Sequence, residues 1–226
     1  MTPEPLLDAL CGLLRRTYAL TAPLLPIGRY VIGDAGLRVL YPKGQRDVRS
    51  EAGEGARLLV RDTGDGVRAC IYYPDAMIRR LEENPPQRGL DEDNVDAFAV
   101  LVEELDHLLV AAERAQAGRG VSLLELEVQA NVSKDLVLSR FLSRRGQCVD
   151  PVRRAWLRHH LFDARTYCDD DRSVRYRYDE ASRLALKFLA TLERTPRGRR
   201  VDRLRRFHRA SLAGKVELSG GGQAEG

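Results

Sequence analysis

The chain has 226 residues, of which 43% are hydrophobic and 31% charged, with a net charge of +4. This composition fits a soluble globular protein with a real core. No apolar run approaches the roughly 18 residues that a membrane-spanning helix needs, so no such helix is expected.

The chain opens with leucines at helical spacing (Leu6, Leu7, Leu10, Leu13, Leu14), which predict a helix over 4–20 ended by the prolines of TAPLLP. This start has no basic segment followed by an apolar core and a cleavage site, so a cytoplasmic location is expected. Residues 29–74 change character. RYVI, LRVLYP, RLLVRD and VRACIYYP are short and rich in valine, isoleucine and tyrosine, with GDAG, a longer glycine-containing stretch and TGDG between them. They predict four antiparallel strands, the last two forming the best-defined hairpin.

From residue 75 onward the pattern is helical. The expected helices are DAMIRRLEE, ended by Pro85-Pro86; 94–117, closed by Gly118; 122–145, ended by Gly146; one opened by Asp150-Pro151 and running to about Tyr167; 172–194; and a basic helix or arm over about 199–213. The fold class is α+β: a small antiparallel sheet packed on a mostly antiparallel helical bundle. The division expected is 1–74 (first helix and sheet), 75–195 (bundle) and 196–226 (basic arm and a tail, SGGGQAEG, that reads as disordered).

Cys11, Cys70, Cys148 and Cys168 form no C-x-x-C pair, so a paired-thiolate zinc site is not expected. They read as small buried hydrophobes. The acidic run Asp91, Glu92, Asp93 and Asp96 precedes and enters a helix, where negative charge suits the positive end of the helix dipole. Ser122 with Glu125 three residues on is a capping-box pattern.

The informative stretch is VEELDHLLV, residues 102–110. Phe98, Leu101, Val102, Leu105, Leu108, Leu109 and Ala112 form one apolar stripe, and His107 lies about 160° from its centre. The side around His107 carries Ala99, Val100, Val110 and Ala111, so the helix is apolar nearly all round and should be buried. Glu103 and His107 share a face, and Glu104 with His107 gives the Glu-x-x-His spacing of bundle di-iron proteins. A second Glu-x-x-His is missing, so His107 and Glu104 are weak metal ligands on this pattern alone. The next helix has the same design, with Glu127, Asn131 and Lys134 on one side and leucines and valines elsewhere. Joined by a short glycine-containing turn, the two helices should pack antiparallel. Glu103, Glu104, His107, Glu127, Asn131 and Lys134 would then form a partly buried polar cluster, for which a structural network is the preferred reading.

Residues 153–178 interleave arginines with aromatic residues, and the bland reading, arginine stems lying over the bundle, is preferred there. Residues 194–215 hold nine basic residues against Asp202 alone, a local charge of +8 in a chain of +4, which leaves −4 elsewhere. Only four of the 37 basic residues are lysine, so arginine richness is general rather than local. Arg197, Arg199, Arg200, Arg203, Arg205, Arg206 and Arg209 are the expected contacts to an acidic protein surface or nucleic acid. Val201, Leu204, Phe207 and Leu212 give the segment a thin apolar edge, for the bundle or a partner. No phosphate-binding loop, nucleophile elbow or H-E-x-x-H motif is present. The leading expectation is therefore an interaction or regulatory protein with a basic arm and no cofactor. The alternative is a metal-dependent or acid–base enzyme, with a divalent metal between helices 94–117 and 122–145.

Overall fold

The computed structural model describes residues 5–23, 26–41, 55–64, 66–143, 150–164 and 171–220. In chain order the elements are α1 (Leu6–Tyr18), β1 (Val31–Ile32), α2 (Asp34–Leu40), β2 (Arg57–Asp62), β3 (Val67–Tyr72), α3 (Asp75–Glu83), α4 (Val95–Gln116), α5 (Leu123–Leu142), α6 (Pro151–Arg158), α7 (Arg172–Arg194), α8 (Arg200–Arg209) and α9 (Leu212–Ser219). The expected α+β class holds, but the sheet among the described residues is three-stranded and mixed, in the order β1-β3-β2.

The hairpin is β2–β3, antiparallel, with Leu58 opposite Ile71. Its turn is closed by Thr63 N–H donating to the Gly66 carbonyl at 2.9 Å, and Gly64 takes the positive φ (78°) that this turn needs. The other two expected strands differ from the structure. RYVI keeps only Val31 and Ile32 as strand, and these pair with β3 in parallel, not antiparallel. LRVLYP is not a strand: Leu37 to Leu40 lie in α2. The reason lies at the helix start, where the Asp75 carboxylate accepts from Asp34 N–H at 3.1 Å and Asp34 accepts from the Tyr72 hydroxyl at 2.8 Å. These bonds favour a helical turn over an extended pairing.

The helix starts follow their caps. Ser122 Oγ accepts from Glu125 N–H, Asp150 accepts from Val152 and Arg153 N–H, and Asp171 accepts from Ser173 N–H. Gly118, at φ +62°, turns the chain out of α4 towards α5. The helix from Pro151 does not stay α-helical as far as expected. It passes into a π-helical turn over His159–Asp163, and residues 165–170 lie outside the described residues, as do 144–149. The basic segment forms two helices. The chain is extended at Ala210, and Ser211 caps α9. Residues 221–226 of the expected tail lie outside the described residues, together with Cys148 and Cys168. Cys11 and Cys70 are free and half-buried.

One apolar cluster runs through the molecule. It joins Leu10, Leu14 and Tyr18 of α1, Ile71 of β3, Phe98 and Leu105 of α4, Val128 and Leu138 of α5, Phe188 of α7 and Phe207 of α8. The central layer is the antiparallel pair α4–α5, with α7 packed across α5. Both faces of α4 and α5 are thus covered, which places their polar residues inside.

Candidate functional site

Burying a helix on all sides forces every polar side chain on it to find a partner within the protein. In α4 and α5 this concerns Glu104, Asp106, His107, Arg114, Glu125, Glu127, Gln129, Asn131, Ser133, Lys134 and Asp135, all buried. Asp135 faces Arg158 of α6 at 4.0 Å, and the other ten sort into three groups.

The first group is the strip expected between the two helices. The structure brings Glu103, Glu104, His107, Glu127 and Lys134 together. The Lys134 ammonium donates to Glu103 Oε2. His107 Nδ1 faces Glu104 Oε2 at 3.7 Å, and His107 Nε2 faces Glu127 Oε2 at 3.9 Å. Both distances exceed hydrogen-bonding range. Among the described residues His107 Nε2 and Glu104 Oε2 have no hydrogen-bond partner. Asn131, almost fully buried, lies one turn beyond Glu127 on the same helix. Glu103 is the most open member of the group, its side chain 17% exposed.

The electrostatics follow from three carboxylates sharing one buried space. Burial alone would depress the His107 pKa. The Glu104, Glu127 and Glu103 carboxylates around it outweigh that and raise it to about 9. Glu127 is pushed up to about 7, chiefly by burial and then by Glu103, against the pull of His107 and Lys134. The cluster therefore carries more negative charge than Lys134 can balance, and it holds a proton in compensation.

A metal fits this arrangement. One ligand atom each from Glu103, His107 and Glu127 lie within 4.8 Å of one another. Oxygen and imidazole nitrogen bind zinc at about 2.0–2.2 Å, so ligand atoms around one ion sit about 3–3.5 Å apart. The 3.9 Å gap between His107 Nε2 and Glu127 closes to that value with a small side-chain adjustment. Glu104, facing the other ring nitrogen, stands where a metal-bound histidine commonly keeps its orienting carboxylate. The pattern is not the doubled Glu-x-x-His of di-iron bundles: Glu104 of that motif faces the imidazole, and the third ligand atom comes from Glu127 on α5.

The second group is a chain that the sequence analysis missed. Ser133 Oγ donates to Asp106 Oδ1 at 2.6 Å, which leaves the Tyr18 hydroxyl to donate to Ser133 at 2.7 Å. Asp106 is 1% exposed, and burial raises its pKa to about 6. The signal was available. Asp106 lies one turn from Val102 and from Val110, so it stands in an apolar row rather than beside it. Next to this chain Lys215 of α9 reaches in to Gln129.

The third group corrects the capping-box reading. Ser122 does cap α5, but the Glu125 carboxylate does not turn back to it. It accepts from Arg114 at 2.5 Å, both side chains being less than one-tenth exposed. The same guanidinium donates to the carbonyls of His208, Arg209 and Ala210, closing the end of α8. The acidic run also does more than face a helix dipole. Glu92 accepts from Trp156 Nε1 at 2.6 Å and meets His160 Nε2 at 3.0 Å, while Asp96 lies 3.4 Å from His160 Nδ1.

The seven arginines expected to contact a partner divide. Arg200 donates to the Thr195 and Glu193 carbonyls, Arg203 to that of Leu218, and Arg205 to those of Thr17 and Arg16. These three close the ends of α7, α9 and α1. Arg197, Arg199, Arg206 and Arg209 are exposed. Half of the apolar edge docks on the bundle: Leu204 and Phe207 are buried, and Phe207 stacks on Phe188 with ring centroids 3.8 Å apart, whereas Val201 is exposed and Leu212 half-buried.

No family model matches the chain, and no curated protein or solved structure matches it either. No helix among the described residues is long and apolar enough to cross a membrane.

Proposed function

We propose that the chain binds one divalent transition metal between α4 and α5, through Glu103, His107 Nε2 and Glu127, and uses it in metal-assisted acid–base chemistry. The observation that carries this reading is the buried His107 Nε2, which has no hydrogen-bond partner among the described residues and faces Glu127 Oε2 at 3.9 Å, too far to bond it, with a Glu103 ligand atom in the same group. A buried imidazole left so is costly unless another group completes it. Three protein ligands leave coordination positions for water or substrate, as in catalytic rather than closed structural sites. A metal held there supplies a Lewis acid that lowers the pKa of bound water. Of the chain's own residues, Glu104 orients the imidazole, Lys134 balances the charge of Glu103, and Glu103 faces the open side. Calorimetric titration of chelator-treated protein with zinc or manganese tests the reading. One saturable site, lost in His107→Ala, is expected. The absence of saturable binding overturns it.

A second reading rests on the exposed Arg199, Arg206 and Arg209 of the basic segment: a contact to an acidic protein surface or nucleic acid. Replacing these three by glutamate should weaken retention on a polyanion column and flatten its salt dependence. An unchanged salt profile removes this surface from the account.

A further inference from the structure

Lys215 lies outside the cluster between α4 and α5. It is 1% exposed, yet among the described residues no carboxylate forms a hydrogen bond or ion pair with it. Its Nζ donates to Gln129 Oε1 at 2.8 Å and to the Phe207 carbonyl at 2.6 Å, and it sits 4.3 Å from the centre of the Phe207 ring. Both hydrogen-bond acceptors are neutral. Beside it His208 is also buried, its ring stacked on Tyr18 at 4.8 Å. Gln129 Nε2 and His208 Nδ1 have no hydrogen-bond partner among the described residues. A buried amine among neutral acceptors is stable mainly as the uncharged form. The only element that carries Lys215 is α9, a helix of eight residues.

We propose that α9 is a proton-operated latch: Lys215 holds the last helix on the bundle as a neutral amine, and taking up a proton releases it.

Burial, and not the surrounding charges, sets the direction. Burial lowers the Lys215 pKa from its ordinary 10.5 to about 7. Glu125 of α5 and Asp106 of α4 act in the opposite sense, and Arg114 of α4 reinforces the lowering. α8 contributes His208, whose pKa is lowered to about 3 by burial, Lys215, Arg114 and Arg209. α1 contributes the Tyr18 hydroxyl, and among the described residues no hydrogen bond or ion pair joins Lys215 to α7. The direction follows from linkage. The released amine binds its proton below pH 10.5, whereas the docked amine resists until about pH 7. Docking therefore weakens as pH falls through this window, by up to about tenfold per pH unit. Below pH 6.5 His208 continues the trend, because it too must stay neutral while docked.

The test is hydrogen exchange of the full chain at pH 7, 8 and 9, reading the opening constant of amides 212–219 against those of α5. The wild type should open up to about tenfold less per pH unit gained, while α5 shows no matching change. Lys215→Met or Lys215→Gln should remove the slope. A second measurement needs no variant to fold: NMR titration of the lysine side chains, of which the chain has four. One amine should titrate near pH 7. All four titrating near 10.5, or a pH-independent opening of 212–219 in the wild type, overturns the proposal.

Discussion

Replacing Lys134 by methionine is the perturbation that separates a charge-balanced structural strip from a metal site. Methionine keeps the length and helix preference of the side chain and removes its charge. Glu103, Glu104 and Glu127 then face one another with only His107 between them. The Lys134 and Glu103 side chains are 7% and 17% exposed, so this is a largely buried ion pair. Removing one partner of a buried pair costs about 3–5 kcal/mol, and the opening at Glu103 puts the cost near the lower end, about 3 kcal/mol. For a chain of this length that lowers Tm by about 6–12 °C. A divalent cation replaces the lost positive charge. At a hundred times its Kd it returns about 2.7 kcal/mol, close to the whole loss. Thermal unfolding of wild type and Lys134→Met, each with chelator and with manganese, reads both numbers. The reasoning is refuted if the variant melts with the wild type in chelator, or if manganese leaves its Tm unchanged.

Other changes follow from the same geometry. Arg114→Ala leaves the Glu125 carboxylate buried without its cation and uncovers the carbonyls at the end of α8, so urea denaturation should show a loss of about 3–5 kcal/mol. Arg114→Lys should recover little of it, because an ammonium cannot span the carboxylate and three carbonyls as a guanidinium does. Ser133→Ala leaves the Tyr18 hydroxyl and Asp106 buried and unpaired, and should cost about 1–3 kcal/mol in the same assay. His107 has a raised folded pKa, so its proton-linked stabilisation is complete below its ordinary 6.5 and is lost as pH rises through about 9. The stability difference between wild type and His107→Gln should therefore shrink from pH 6 to pH 9, and a difference that grows would contradict the assigned surroundings.

Much of the site was legible because one argument could be made from each helix separately. A helix apolar on two faces must be buried, and a polar residue interrupting its second face must point at a neighbour. Applied to 94–117 and 122–145, with a short turn between them, this placed Glu103, His107, Glu127 and Lys134 opposite one another. Asp106 was hidden because it lies at the edge of the main stripe, between Val102 and Val110, while the polar strip of Glu103 and His107 runs along another side of the helix. The partner of Glu125 escaped for another reason: a local motif supplied a sufficient local explanation, and Arg114 competes for the carboxylate only once α4 and α5 are side by side. The sheet shows where local pattern loses to tertiary contact. Leu37, Val39 and Leu40 have strand-like character, but the bonds from Asp75 and Tyr72 at Asp34 start a helix there. The basic segment reads as a free arm in one dimension. Leu204, Phe207 and three of its arginines are committed to the bundle, which no charge count reveals.

The most direct measurement is anomalous diffraction from crystals of the full chain grown with manganese, with data collected at an energy where that metal scatters anomalously. The account predicts one strong peak per chain between Glu103, His107 Nε2 and Glu127, about 2.0–2.3 Å from each, with the Lys134 ammonium moved off Glu103. No peak there, with Lys134 still on Glu103 in the presence of the metal, would contradict it.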